Sequence, residues 1–166
     1  MVVEVRERLR LFHSADDVFE LVSDVRRYPH FIPQITAMRV LDERRDGPRL
    51  ELTAEARVRY KFVSERFTSR VEADSAARRI DVSFVAGPFR VLENRWHFHA
   101  LSDGSCLVDF SIRAAFKNPI LQVLLESNQE RAGRVLISKF SAEAERRHER
   151  AGDPALDLAE EINAIG

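Results

Sequence analysis

The chain has 166 residues, 45% of them hydrophobic, which suits one globular domain with a substantial core. Its net charge of −1 argues against a surface made wholly for nucleic acid, and its one cysteine excludes an intramolecular disulfide framework. The stretch after Gly152 carries −4 and no base, which leaves +3 on the rest of the chain. We therefore expect a domain at 1–150 and an acidic C-terminal tail at 151–166.

No apolar run approaches the roughly 20 residues that a membrane-spanning helix needs. The first residues also lack the continuous apolar core of a signal peptide. We therefore expect a cytoplasmic protein, and a peripheral location at the inner membrane stays open as an alternative.

The first predicted elements are a strand and a short helix. Apolar and charged residues alternate over 3–11, which indicates a strand with one dry face, although Glu7 falls on the dry side. Ser14 and Asp17 have the spacing of a capping box, so a helix should begin there. Apolar residues at steps of three and four give this helix a buried stripe, and we expect it to end near Arg26.

The segment 28–33 combines two prolines with aromatic and aliphatic residues, which predicts a stiff, compact turn. Three roles are open for it: a gate over a ligand groove, a tip that dips into a membrane, or a plug at the end of the core. Its candidate ligand-binding residues are Tyr28, Phe31, Ile32 and Pro33.

A period of two governs the chain from residue 35 to 116 and predicts six further strands. The clearest alternation covers 50–58 and places Leu50, Leu52, Ala54 and Ala56 inward, with the glutamates at 51 and 55 outward. Short connections between the strands predict a strongly curved antiparallel sheet, whose dry concave face needs a cover.

The cover is a long amphipathic helix that begins at Asn118 and Pro119 and runs to about Arg147. Asn118 has the side-chain acceptor of an N-cap, and Pro119 suits the first helical position. At about 1.5 Å per residue the helix would be roughly 45 Å long. Beyond Gly152, the spacing of Leu158, Ile162 and Ile165 fits a short helical face, with a frayed tail as the alternative.

Four segments of the chain have a distinctive sequence, namely Tyr28-Pro29-His30-Phe31-Ile32-Pro33, the stretches 65–71 and 87–98, and Phe116-Lys117-Asn118-Pro119. Together they resemble the START-like family that contains the coenzyme Q-binding proteins of the respiratory chain and the bacterial ribosome association toxins, within the polyketide cyclase/dehydrase-like superfamily. At Gln34-Ile35 the chain departs from the Trp-Cys pair that is usual in these relatives.

The resemblance implies an α+β helix-grip fold like that of START and Bet v 1 proteins, with about seven strands wrapped on the long C-terminal helix and two short helices after the first strand. It further implies non-catalytic binding of a polyprenyl quinone such as ubiquinone, or a related lipid, in support of respiratory electron transport. No catalytic cofactor is expected. In the alternative that the toxin relatives imply, the protein binds a ribosomal subunit and interferes with subunit association.

The residue pattern allows either a ligand groove or a closed core between the helix and the sheet. If the sheet bends away from the helix, the apolar faces would line a groove suited to a small hydrophobic molecule. The candidate apolar lining consists of Phe67, Trp96, Phe98, Phe110, Ile112, Phe116, Leu121, Leu124 and Leu125.

Three polar residues interrupt the dry strand faces, namely Glu65, Ser69 and Asn94. A buried polar group without a partner is costly, so each should meet a protein partner, lie at the mouth of the groove, or meet the headgroup of a ligand. Both the structural role and the ligand-binding role stay open for each residue.

The sequence offers little for catalysis. Nucleophile elbows, phosphate-binding glycine loops and paired zinc cysteines are missing from it, so we expect a protein that is not an enzyme, with a cyclase-type enzyme as a third alternative. His97, His99 and Asp109 suggest a metal site weakly and solvated surface residues more strongly. Cys106 has apolar neighbours and should be a small buried hydrophobe.

Arginines and acids alternate on the outward strand faces. Cross-strand ion pairs explain most of these charges. A patch for ribosomal RNA or anionic lipid is the alternative, with Arg66 and Arg70 as its candidate residues.

Overall fold

Seven strands and three α-helices form in the computed structural model, which describes residues 1–166. A 3₁₀ helix, Val25–His30, follows the first α-helix. The strands are β1 (Val3–Leu11), β2 (Ile35–Asp46), β3 (Arg49–Tyr60), β4 (Val63–Asp74), β5 (Arg79–Ala86), β6 (Phe89–Ala100) and β7 (Cys106–Phe116). The α-helices are α1 (Ala15–Ser23), α2 (Pro119–Arg147) and α3 (Ala159–Ile165).

All strands pair antiparallel in the order β1-β7-β6-β5-β4-β3-β2, so β1 and β2 form opposite edges of the sheet. The predicted alternation of β3 is confirmed: its four apolar residues from Leu50 to Ala56 are buried, and Glu51 and Glu55 are not. Register shifts within β2, β5 and β6 mark bulges, which bend a sheet. This curvature produces the predicted concave face.

The short helix α1 begins as predicted but ends earlier. The Ser14 side chain accepts a hydrogen bond from the Asp17 backbone N–H at 3.1 Å, which caps the helix. The prediction of an end near Arg26 was wrong, because α1 ends at Ser23 and the chain tightens into the 3₁₀ helix that contains Pro29. Val25 lies in the 3₁₀ helix and is also buried, so the apolar periodicity continues past the end of α1.

The long helix α2 has the predicted bounds. Asn118 Oδ1 accepts from the Ile120 N–H at 2.8 Å, and Pro119 occupies the first helical position. The helix packs on β1, β7 and α1. A Cβ added at Gly133 would lie 2.7 Å from Val5 Cγ1, so this glycine allows α2 to approach β1 closely. Helix α2 thus lies toward the β1–β7 side of the sheet.

The C-terminal segment is docked on the domain and not frayed. Arg10 donates to the Leu156 carbonyl at 2.7 Å and pairs with Asp103 at 2.6 Å, while Ser102 donates to Glu161 from its backbone N–H and its hydroxyl. The apolar residues Leu158 and Ile162 are half-buried. None of the helices has the length and apolar character needed to cross a bilayer.

Candidate functional site

A cavity of about 440 Å³ lies between the N-terminal half of α2 and the strands on the β2–β4 side of the sheet. Most of its lining side chains are hydrophobic. They are Ile32, Gln34, Ile35, Val58, Tyr60, Val63, Glu65, Phe67, Pro88, Phe89, Phe116, Leu121, Leu124, Leu125, Asn128, Arg131, Ala132, Val135, Leu136 and Lys139.

Stacked aromatic rings form one wall of the cavity. Phe89 stacks on Phe116 with ring centroids 4.5 Å apart and meets Phe67 edge-on at 5.2 Å. Gly87 sets this wall, because a Cβ there would lie 2.7 Å from Phe67 Cβ and its φ of +138° disfavours other residues. The turn between β5 and β6 therefore requires glycine to place these rings.

Five polar side chains interrupt the apolar lining, namely Gln34, Glu65, Asn128, Arg131 and Lys139. Asn128 Nδ2 donates to the Leu124 carbonyl at 2.7 Å. The ion pairs of β3 and β4 join Arg70 to Glu51 and Glu72, and Glu65 takes part in none. A mostly apolar cavity with a few unengaged donors and acceptors can hold an amphiphilic molecule in one orientation.

The structure brings together seven of the predicted site residues around this cavity. These are Ile32, Glu65, Phe67, Phe116, Leu121, Leu124 and Leu125. It places the other nine outside the lining, namely Tyr28, Phe31, Pro33, Ser69, Asn94, Trp96, Phe98, Phe110 and Ile112.

The predicted aromatic residues outside the cavity form a closed core with the second half of α2. The Trp96 ring lies 4.6 Å from Phe110, 5.1 Å from Phe140 and 5.9 Å from Phe98, measured between ring centroids. All four side chains are buried. They fill the interior on the side that α1 covers, so no open groove passes along them.

Asn94 has protein partners for its side chain. Its Oδ1 accepts from Trp96 Nε1 at 2.8 Å, and its Nδ2 donates to the Ser111 carbonyl at 2.9 Å. These bonds hold the indole in place and fit the structural role. Ser69 is also buried, in the middle of β4 opposite Ala54.

The 28–33 segment plugs the end of the core. The rings of Tyr28 and Phe31 meet Phe140 edge-on at 5.2 Å and 5.3 Å. The Tyr28 hydroxyl donates to the Val22 carbonyl, and burial raises the pKa of Tyr28 above its ordinary value. Ile32 is buried and Phe31 is half-buried, so neither side chain forms an exposed tip.

Sequence reasoning missed several lining residues. Val58 and Tyr60 continue the inward alternation of β3, and Ala132 and Val135 continue the apolar stripe of α2. Those periodicities were signals that could have found them. Phe89 follows a turn, where alternation gives no direction.

The residues considered for metal binding or nucleophilic chemistry lie elsewhere. Asp109 accepts from Arg8 at 2.6 Å and contacts His99 at 2.9 Å, which makes a surface ion-pair network. Burial and the neighbouring His99 lower the pKa of His97. Cys106 is fully buried as predicted, and this burial raises the pKa of its thiol to about 12.

One group of potential metal ligands lies between α1 and the end of α2. Ligand atoms of Asp17, Glu20 and His148 come within 4.8 Å of one another. Glu20 is exposed, and His148 lies 3.7 Å from Asp17. This group is outside the cavity.

Ion pairs hold only part of the outward arginines: Arg70, Arg95 and Arg113 are paired, whereas Arg57, Arg59 and Arg66 take part in none. Arg70 pairs with Glu51 at 2.9 Å and with Glu72 at 3.0 Å, which also raises the pKa of this arginine. Arg113 pairs with Glu93 at 3.0 Å. Arg66 has no such partner and lies opposite Arg57 in the β3–β4 register.

Comparison with known proteins gives consistent matches across the domain. The family described as polyketide cyclase/dehydrase and lipid transport matches residues 12–141. The ribosome association toxin RatA of Pseudomonas aeruginosa is 30% identical over 87% of this chain and 96% of its own length. The persistence and stress-resistance toxin PasT of Escherichia coli is 34% identical over 67% of each chain.

Solved structures match the same region. An 18 kDa protein from Caulobacter crescentus has 40% identity and a TM-score of 0.71 over 88% of this chain and 97% of its own. The Zhui aromatase/cyclase from a Streptomyces species has a TM-score of 0.77 at 19% identity, over 89% of this chain and 96% of its own. A START superfamily protein from Mycobacterium smegmatis has a TM-score of 0.72 at 21% identity, over 86% of this chain and 97% of its own. The likeness to the last two concerns the fold alone, and it confirms the predicted fold class.

Proposed function

The chain belongs to the polyketide cyclase/dehydrase and lipid transport family, and we propose that it binds a hydrophobic lipid in its cavity without a chemical step. The observation that carries the proposal is the 440 Å³ apolar cavity beside α2. Its volume falls within the range of about 300–1,000 Å³ that is usual for small-molecule sites. It therefore suits a headgroup and the first part of a longer tail.

The proposed ligand is a polyprenyl quinone such as ubiquinone, or a lipid of similar chemistry. Leu121, Leu124 and Leu125 offer an apolar path for an isoprenoid tail. Quinone carbonyls only accept hydrogen bonds, and Arg131 and Lys139 supply donors in the same lining. The carboxylate of Glu65 would accept from the hydroxyl of the reduced quinol.

A substitution that fills the cavity tests this proposal. Ala132 lines the cavity, so Ala132→Trp should leave the fold intact and reduce quinone binding about tenfold or more, since the indole occupies the ligand volume. Binding is measured by titration of a short-chain ubiquinone, followed by extraction to verify that the quinone is chemically unchanged.

The matched control is Ala142→Trp, on an exposed position of the same helix outside the cavity. It should bind quinone as the wild type does. Equal binding by all three proteins would remove the cavity as the site. Turnover of the quinone would instead favour the cyclase-type alternative.

A second candidate function is binding to a ribosomal subunit. The names of the RatA relatives favour it, and so do Arg57 and Arg66, which face each other without an ion-pair partner. Like charges directly opposite are unfavourable, and a phosphate would relieve them. Arg57→Glu with Arg66→Glu should abolish cosedimentation with ribosomal subunits and leave quinone binding intact. Arg70→Glu, which changes a neutralised arginine, is the control.

A further inference from the structure

One end of the molecule presents large apolar side chains to solvent. Phe62 is 75% exposed in the two-residue turn between Tyr60 and Val63, and Ile120 and Val123 are 64% and 61% exposed at the start of α2. Isolated exposed hydrophobic residues are common, but these three flank the same end of one cavity. The lining residues Val63 and Leu121 directly follow Phe62 and Ile120 in the chain.

Sheet pairing brings these segments to one end. Because the strands are antiparallel, the β3–β4 turn, the β5–β6 turn and the β7–α2 junction lie at the same end of the sheet. The Phe89–Phe116 pair joins the last two of them. Lys117 Nζ donates to the Gly87 carbonyl at 3.3 Å and links two of these segments. We call this region the docking end: Lys61, Phe62, Arg90, Lys117, Ile120 and Val123.

The three cations of the docking end have no carboxylate partner, unlike the paired arginines of the outward sheet face. Arg70 and Arg113 are held by carboxylates, whereas Lys61, Arg90 and Lys117 take part in no ion pair. The nearby acid Glu126 is half-buried and accepts from Gln122 at 2.6 Å. The exposed end is therefore basic as well as apolar.

We propose that the docking end binds the surface of an anionic lipid bilayer. Phe62, Ile120 and Val123 would enter the boundary between headgroups and acyl chains, and the three cations would face lipid phosphates. This inference rests on the proposed function, since bilayer docking would serve the exchange of a bound lipid. Tyr60 lines the cavity and is 41% exposed, so the cavity reaches the surface beside Phe62.

The aliphatic side chains favour a bilayer over RNA as the partner. Single-stranded nucleic acid is bound by cations together with aromatic rings on which bases stack. Ile120 and Val123 have no ring for stacking, but they gain from burial among acyl chains. The combination of exposed aliphatic residues and unpaired cations matches the lipid interface.

Vesicle flotation tests the proposal with the full chain. We expect tight binding to phosphatidylcholine vesicles that contain phosphatidylglycerol and weak binding to pure phosphatidylcholine. The pair Phe62→Asp, Ile120→Asp should weaken anionic-vesicle binding about tenfold or more. The pair Lys61→Glu, Lys117→Glu should reduce it to the level of neutral vesicles. Phe62→Gln is a milder variant that serves if the aspartate pair proves unstable.

Two controls change similar residues away from the docking end. Leu41→Asp alters an exposed apolar residue of β2, and Arg44→Glu with Arg45→Glu alters cations near the opposite β2–β3 turn. Both should bind anionic vesicles as the wild type does. Equal losses in controls and docking-end variants, or unchanged binding in the docking-end variants, would overturn the proposal.

The same proteins separate the other outcomes. One outcome is that the wild type does not bind anionic vesicles, while the pair Lys61→Glu, Lys117→Glu abolishes binding to ribosomal subunits. That outcome would indicate RNA as the partner and overturn the proposal. Docking-end-dependent vesicle binding by a protein that takes up no quinone would support docking while contradicting the proposed quinone site.

Discussion

The two halves of α2 cover the same concave sheet face with different results. In the second half, Ile137, Phe140 and Ala144 are buried against the Trp96 cluster. In the first half, Leu124 and Leu125 stay half-exposed and line the cavity. One helix and one sheet therefore produce both a closed core and an open site.

The two short helices that follow β1 explain this difference. Helix α1 and the 3₁₀ helix pack over the second half, where they add the buried Val18, Leu21 and Val22 and the Tyr28 ring. The 3₁₀ helix also contacts β2, and the cavity lies beyond it, between the first half of α2 and strands β3 and β4. An apolar helix face closes a core only where a further element seals the edge of the sheet.

Lysine substitutions on the two halves should have the most divergent effects. Ile137→Lys places an ammonium in the closed core, and we expect it to lower the free energy of unfolding by about 4 kcal/mol or more. Leu125→Lys lies on the cavity wall, so its charge reaches water through the opening and should cost less than about 1.5 kcal/mol.

Denaturant unfolding of both variants measures these costs. Similar large losses would mean that the first half of α2 is also a closed core. Similar small losses would mean that the second half is open.

Glu143, in the second half of α2, should make the stability of the protein sensitive to acid. It is 4% exposed, and hydrogen bonds from Arg146 at 2.8 Å and Arg147 at 2.7 Å hold its pKa at about 2. A carboxylate whose pKa falls on folding stabilises the protein at neutral pH, and this stabilisation is lost as pH falls from about 4.5 toward 2. Glu143→Gln should therefore lower the free energy of unfolding by about 2 kcal/mol at pH 7, discounted because Arg146 is exposed to solvent.

The difference between wild type and Glu143→Gln should shrink steadily below pH 4.5 in denaturant titrations. Glu65→Gln in the cavity is the control and should change stability by less than about 0.5 kcal/mol, since Glu65 has no ion pair to lose. A Glu143→Gln difference that stays constant down to pH 2.5 would contradict the assignment.

The smallest expected effect concerns Tyr28. Tyr28→Phe removes the hydrogen bond to the Val22 carbonyl and should cost about 1 kcal/mol, while quinone binding stays unchanged because the ring lies in the closed half. Tyr60→Phe, on the cavity side, is the control for stability. Reduced quinone binding by Tyr28→Phe would contradict the placement of Tyr28 outside the ligand site.

The elements decided by local rules were predictable from the sequence. Asn118 and Pro119 predict the start of α2, because they suit its N-cap and its first position. The alternation of β3 predicts which of its side chains face inward. The end of α1 was not predictable to the residue, because the switch to a 3₁₀ helix preserves an apolar periodicity.

The sequence predicts which face of the sheet the site residues lie on, but not which of them line the cavity and which lie in the closed core. Alternation places Phe67 and Trp96 on the same concave face, yet Phe67 lines the cavity and Trp96 lies in the closed core. Their separation depends on where α1 packs and on the close approach of Gly133 to Val5. Both are long-range contacts that no local pattern reports.

Native mass spectrometry of the protein with an excess of short-chain ubiquinone tests the central claim most directly. The account predicts one bound quinone per wild-type chain, and loss of that adduct in a folded Leu125→Lys variant, whose charge lies on the tail path. A wild type without adduct, or a folded Leu125→Lys variant with the wild-type proportion of adduct, would contradict the placement of the lipid in this cavity.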